Sequence, residues 1–291
     1  MRSGLDPLGV EAVMGQCVNG NGTITSSSRQ SLPPTVEVWP SCTDVGRRAA
    51  DLIESQLARR PCSVFALPTG TTPLAMYDEI VRRCEEGNLR LDGAKFFNLD
   101  EYVGLHPGHE GSFYRYMRER FWGPAKLKEW QYDVPRGWVQ DLDGECKRYD
   151  EAIVEAGGID LAVVGLGVNA HVGFNEPGTD PELGTHLVEL SESTRRAQAE
   201  WFGGLVGRVP RRALTVGIRT LLGTRAIVLI ACGRHKARIV HEVLLGPPTP
   251  ERPASLLRIH PNLTVILDQD AAGLLWPKEF KAEEALKTDT V

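Results

Sequence analysis

The sequence predicts an α/β fold: a single-domain, open, twisted, mostly parallel sheet with helices on both faces, a Rossmann-like three-layer αβα arrangement. Three observations predict it. From Val36 onward, short apolar runs alternate with amphipathic stretches, the signature of successive βαβ units. Turn-forming and glycine-bearing segments punctuate those runs. The unusual polar residues cluster where the runs end, and open α/β sheets hold their ligands at the carboxyl ends of their strands.

Residues 1–34 read as a flexible tail, because Asn19-Gly20-Asn21-Gly22, Ser26-Ser27-Ser28 and Pro33-Pro34 supply turn formers without periodicity. Residues 35–291 read as one α/β domain, large enough to bury a substantial core. The run 63–67 (SVFAL) is a buried strand, followed by the loop 68–72 and by Pro73 where a helix begins, with Thr72 as its N-cap. Residues 95–99 form a second strand ending at Asp100, and 160–165 (DLAVVG) a third, ending in the glycine-bearing loop before His171. Residues 225–231 form a fourth, followed by Gly233 and a helix carrying Lys236, and 263–267 a fifth.

Composition narrows the function. Lys and Arg total 33 against 38 acidic residues, a net charge of −5, so a sequence-independent grip on nucleic acid or anionic lipid lacks its electrostatic source. A small-molecule partner is expected, with a homo-oligomer left open. The longest purely apolar run, 226–232, is too short to span a bilayer, and the N-terminus lacks the apolar core and cleavage site of a secretory signal. A cytoplasmic location is therefore expected. The six cysteines include no CxxC pair, which predicts reduced thiols rather than a zinc cage, a redox dithiol or a disulfide framework.

Three constellations could carry chemistry. The loop in LPTGTTP joins a strand to a helix, and its backbone N–H groups with the helix N-terminus make an anion cradle; an ordinary strand-to-helix turn would look the same. In FNLDEY the adjacent acids Asp100 and Glu101 lie on opposite sides of the chain, so one can face a cleft as a general base; a solvated strand end is the competing reading. The third, GLGVNAHVGFNEPG at 165–178, imitates a dinucleotide fingerprint, but Gly173, Asn175, Pro177 and Gly178 oppose the helix that fingerprint must open. It reads instead as a loop carrying His171 and Glu176, close enough to meet across a turn, where the carboxylate fixes the imidazole tautomer and supports proton shuttling. His106, His109, His186, His235, His241 and His260 read as ordinary histidines. With no serine elbow and no metal set, this kit suits proton transfers beside a carbonyl or imine on a small anionic substrate.

The ordered series LPTGTTP, FNLDEYVGL, GLGVNAHVGFNEP, ALTVGIRTLL and GRHKA resembles the glucosamine-6-phosphate deaminase family from about Val36 to Asp270. The related 6-phosphogluconolactonases share the first loop but lack the FNEP segment. The resemblance implies aldose-to-ketose isomerisation coupled to loss of ammonia, classed with the hydrolases, without cofactor or metal. It implies that a histidine relay opens the sugar ring (His171, Glu176, with Asn169 beside them) and that Asp100 moves a proton from C2 to C1. Lys236 matches a phosphate-binding lysine, and the candidate substrate-binding set is Thr69, Gly70, Thr71, Thr72, Glu101, Arg195, Glu200 and Lys236.

Three positions depart from the family pattern. Thr71 stands where glycine lets the backbone approach phosphate, so the cradle should be tighter or reshaped. Glu200 aligns with a phosphate-binding arginine, turning an attraction into a repulsion, with Arg196 one helical turn away as a compensating charge. Asn169 replaces a usual aspartate and brings no charge to stabilise a protonated ring. A substrate differing at C6, such as an unphosphorylated amino sugar, fits the charge change. The competing readings are a non-catalytic sugar-binding relative and a sugar lactonase.

Overall fold

The computed structural model describes residues 34–275, so the tail expected at 1–34 lies, but for its last residue, outside the described residues. The first half runs β1 (Thr35–Trp39), α1 (Cys42–Arg59), β2 (Val64–Leu67), α2 (Leu74–Glu85), β3 (Lys95–Asn98), β4 (Asp100–Tyr102), α3 (Phe113–Met117), β5 (Tyr132–Asp133) and α4 (Leu142–Glu155). The second half runs β6 (Leu161–Gly165), β7 (His186–Glu189), α5 (Glu192–Gln198), β8 (Arg212–Thr215), α6 (Ile218–Leu222), β9 (Ile227–Ala231), α7 (Ala237–Leu245), α8 (Pro253–Leu256) and β10 (Leu263–Asp268).

Seven strands form one sheet in the order β1-β10-β9-β6-β2-β3-β5, and every pairing in it is parallel. Its central strands are apolar throughout because alternate side chains serve two cores. Val64, Ala66, Ala162, Val164, Ile227 and Leu229 pack on one face, towards Tyr149, Ile153, Val240 and Val243 of α4 and α7. Phe65, Leu67, Leu161, Val163, Val228 and Ile230 pack on the other, towards Ala49, Ile53, Met76 and Ile80 of α1 and α2. Helices on both faces are thus a consequence of these runs.

A second sheet, β4-β8-β7, is antiparallel and was not anticipated from the sequence. Its strands are three or four residues long, too short to show a period against their loops. It corrects the expected second strand, which stops at Asn98; Asp100 belongs to the small sheet, opposite Thr215. Leu99 joins the two, its amide donating to Leu67 O at 3.2 Å and its carbonyl accepting from Val216 N at 2.8 Å. An aromatic cluster of Tyr102, Phe113, Phe174 and Phe202 fills the space behind, with Tyr102 centred 4.8 Å from Phe113 and 5.4 Å from Phe174.

Two local expectations need correction. Thr72 does not cap α2: Pro73 is the N-cap residue, already in a helical conformation at φ −79°, and its carbonyl accepts from the Met76 and Tyr77 amides. Lys236 lies in a single 3₁₀ turn, Arg234–Lys236, just ahead of α7. Among the described residues, no helix is long and apolar enough to cross a membrane.

Candidate active site

The carboxyl ends of β2, β6 and β9, with the seam between the two sheets, surround a cavity of about 500 Å³. Its wall includes Thr69, Gly70, Thr71, Thr72, Asp100, His171, Glu200 and Lys236. The structure therefore brings together residues that the sequence spreads over more than half the chain.

The first loop is held by two tyrosines, Tyr77 Oη donating to Pro68 O at 2.5 Å and Tyr116 Oη to Gly70 O at 2.7 Å. Gly70 sits at φ +110°, where a β-carbon would be strained. Thr71 is exposed on the cavity rim, so its side chain reshapes the entrance instead of tightening the turn.

Asp100 and Glu101 part company as the strand pleat requires. Asp100 faces the cavity, buried, and no group among the described residues donates to its carboxylate. Burial, reinforced by the neighbouring Glu101 charge, pushes its carboxyl up to about 8. Glu101 turns the other way and corrects the sequence expectation that it binds substrate. Its carboxylate accepts from the backbone amides of Tyr102, Phe113 and Tyr114 and from Ser112 Oγ, at 2.7 to 3.1 Å, capping the start of α3.

His171 and Glu176 do not meet directly, contrary to expectation; Asn169 stands between them. Asn169 Nδ2 donates to Glu176 Oε2 at 2.7 Å, and Asn169 Oδ1 lies 2.7 Å from His171 Nδ1. A carboxylate only accepts, so Glu176 fixes which end of the amide faces it. The amide oxygen is then left for the ring, Nδ1 must carry the proton, and the neutral imidazole keeps its lone pair on Nε2. Ser191 N anchors the far oxygen of Glu176 at 3.0 Å. Burial pushes the imidazole down to about 4, Glu176 opposing and Lys236 reinforcing the shift. A β-carbon on Gly167 would overlap the His171 ring, and one on Gly173 would lie 2.9 Å from Thr215 Oγ1, so glycines let the loop pass close to the ring and to the small sheet. Asn175 ties this loop to the small sheet through the Val172 and Val216 carbonyls, 2.8 Å each.

Lys236 Nζ donates to Leu166 O at 2.7 Å, which fixes the ammonium in the cavity wall, and burial lowers its affinity for protons. Arg195 corrects another expectation: its guanidinium donates to the Val206 and Val209 carbonyls and is not part of the cavity wall. Arg196 pairs with Glu192 on the surface and offers no compensation for Glu200. Sequence reasoning missed Trp201, Gln198, Cys42 and Cys232, and set aside His235, all of which line the cavity. His235 and Cys232 were discoverable, because both follow the strand expected to end at Ala231. Among the described residues, no cluster of His, Cys, Asp and Glu could hold a metal ion.

Residues 41–266 match the profile of a family described as glucosamine-6-phosphate isomerases/6-phosphogluconolactonase. The chain is 44% identical over 240 residues to a glucosamine-6-phosphate deaminase from Rhodopirellula baltica, covering 82% of this chain and 95% of that one. It is 37% identical over 243 residues to another from Thermoanaerobacter pseudethanolicus, covering 84% and 96%. Among solved structures, a monomeric glucosamine-6-phosphate deaminase superimposes with a TM-score of 0.80 at 36% identity, covering 82% of this chain and 99% of that one. A 6-phosphogluconolactonase from Leishmania guyanensis, at 18% identity and a TM-score of 0.68 over 84% and 100%, shares the fold.

The raised Asp100 carboxyl has a thermodynamic signature. Between the ordinary value of 3.8 and about 8, the unfolded chain has lost this proton while the folded chain keeps it, so the group's contribution to stability falls as pH rises through that window. Asp100→Asn removes the effect: its melting temperature relative to the parent should climb steadily from about pH 5 to about pH 8. A difference independent of pH in paired thermal melts would contradict the assignment.

Proposed function

This chain belongs to the glucosamine-6-phosphate isomerase/6-phosphogluconolactonase family, and from that premise we propose that it converts a 2-amino-2-deoxyaldose to the ketose with release of ammonia, as the glucosamine-6-phosphate deaminases do. The observation that carries this reading is the convergence of the buried Asp100 carboxylate and the unprotonated His171 Nε2 on one cavity.

In the proposed mechanism His171 Nε2 takes the proton from the anomeric hydroxyl. The C1–O5 bond breaks and O5 takes that proton back from the imidazolium, leaving an open-chain aldehyde. An imidazole held down to about 4 is a strong acid once protonated, which favours the second transfer. Asp100, when ionised, removes the C2 proton while O1 gains a proton that the substrate's ammonium gives up, and the proton on Asp100 then returns to C1, leaving a C2 iminium that water attacks to expel ammonia. Water is consumed in the sum, although the step that Asp100 serves is an isomerisation. A buried carboxylate that ionises near 8 is a far stronger base than one in solvent, and its desolvated site spares it the reorganisation of water.

A second reading concerns the distal end of the substrate. Glu200 and Lys236 share the cavity wall, and no arginine among the described residues lines it. That charge balance supports a C6 substituent less anionic than phosphate, such as the hydroxyl of an unphosphorylated amino sugar.

Three measurements test these assignments. The kcat/KM for ammonia release should rise with pH, pass half its maximum near pH 8 and level off above that, as the base form of Asp100 accumulates; a fall up to that pH would remove Asp100 from the base role. Glu176→Gln lets the Asn169 amide turn either way and releases the imidazole tautomer, so kcat should drop by about 10² or more with KM little changed; parental turnover would dismiss the relay. Glu200→Arg should lower the KM for glucosamine 6-phosphate by about tenfold, solvent screening limiting the gain, and leave that for glucosamine unimproved. If the parent already turns over the phosphorylated sugar far better than glucosamine, the second reading fails.

A further inference from the structure

Cys42 and Cys232 are distant in sequence, yet both line the cavity, and Cys42 packs against the core cluster that contains Cys232. The sheet register brings this about. Trp39 pairs with Asp268, and Leu267 pairs with Ala231, so Asp268 and Cys232 lie one step beyond a matched pair on neighbouring strands. The chain enters α1 at Cys42, soon after Trp39, and α1 packs against β9 and β10. Asp268 holds the same corner from below, accepting from Gly233 N at 2.9 Å and Ala271 N at 2.7 Å.

We propose that Cys42 and Cys232 form a redox-active dithiol in the wall of the cavity, with Cys42 the site of attack on a hydroperoxide and Cys232 the resolving thiol that closes an intramolecular disulfide. The two cysteines differ in the way this division of labour needs. Cys42 is half-buried and occupies the first position of the eighteen-residue α1, where the helix N-terminus favours a thiolate. The Cys232 thiol holds the Cys42 thiol below the usual range, against burial and the Asp268 charge. Cys232 is buried, and the Cys42 thiol, together with burial, pushes its own thiol upward.

The chemistry balances. The Cys42 thiolate attacks the terminal oxygen of the hydroperoxide, the O–O bond breaks, and the departing oxygen leaves with the bonding pair and takes up the proton that the Cys42 thiol gave up, so the products are a Cys42 sulfenic acid and an alcohol or water. Cys232 sulfur then attacks Cys42 sulfur, the S–O bond breaks, and the departing hydroxide leaves as water with the Cys232 proton. The peroxide is reduced and the two thiols are oxidised. Cys232 directly precedes the Gly233 turn that carries Lys236, so the cross-link displaces the ammonium in the cavity wall and lowers turnover. The cross-link itself does not depend on which reaction the cavity performs; only the turnover readout rests on the proposed function.

The test exposes the reduced full-length protein to hydrogen peroxide, alkylates the remaining thiols and reads intact and peptide masses. The expected product has lost two hydrogens, yields one joined peptide pair containing Cys42 and Cys232, and reverts with dithiothreitol. Cys232→Ser should stop at a Cys42 sulfenic acid trapped by dimedone, and Cys42→Ser should leave Cys232 reduced. Ammonia release from glucosamine 6-phosphate and from glucosamine should fall about tenfold or more on oxidation and recover with the reductant. A cross-link through Cys62 or Cys84, oxygen adducts on Cys42 of the parent without a cross-link, or no oxidation of either thiol would overturn the proposal. A cross-link that leaves turnover intact would overturn its effect on the cavity. A reduced protein inactive on both sugars that still forms the cross-link would count against the proposed function alone.

Discussion

The backbone of Leu99 belongs to two sheets at once, and the site is organised around that fact. Its amide completes the parallel sheet through Leu67 and its carbonyl completes the antiparallel one through Val216. Neither peptide group could be left unpaired in this interior without a cost of about 1–3 kcal/mol. The chain therefore turns at a fixed point, and the next side chain, Asp100, emerges at the seam. Glu101 is thrown to the other side, where four donors hold it, so one of two adjacent acids is spent on structure and the other is left without partners beside a cavity.

The histidine loop is bound to the same seam. Phe174 N donates to Thr215 Oγ1 at 3.0 Å, Asn175 bonds the Val216 carbonyl, and the rings of Phe174 and Tyr102 pack together. The imidazole and the carboxylate are thus fixed relative to each other by the small sheet, whereas the ammonium of Lys236 is fixed by the large one. The relay through Asn169 adds directionality: an acceptor-only group at one end determines which nitrogen carries a proton at the other. The neutral Asn169 amide transmits orientation without bringing charge beside a ring that burial already keeps neutral.

Much of this was legible in the sequence. All five apolar runs singled out became strands of the large sheet, because continuous burial on two faces leaves a strong compositional trace at 63–67, 160–165 and 225–231. The small sheet left none, since strands of three and four residues with one polar face resemble loops. Asp100, His171 and Lys236 could be found because each follows an apolar run. The spacer role of Asn169, the inward commitment of Arg195 and the burial of Glu101 depend on partners far away in sequence, on Val206, Val209 and Ser112 among others, which no local pattern encodes. Cysteine spacing likewise could not place Cys42 and Cys232 on one cavity, because that depends on the order of neighbouring strands.

Glu200 and Lys236 on one wall have a kinetic consequence. At neutral pH the empty cavity holds an uncharged imidazole and a largely protonated Asp100, so the remaining ammonium and carboxylate nearly cancel. With a net charge of −5 over the whole chain, the protein has no long-range field that draws an anion inward. At long range that net charge repels an anionic ligand, so added salt should quicken its encounter.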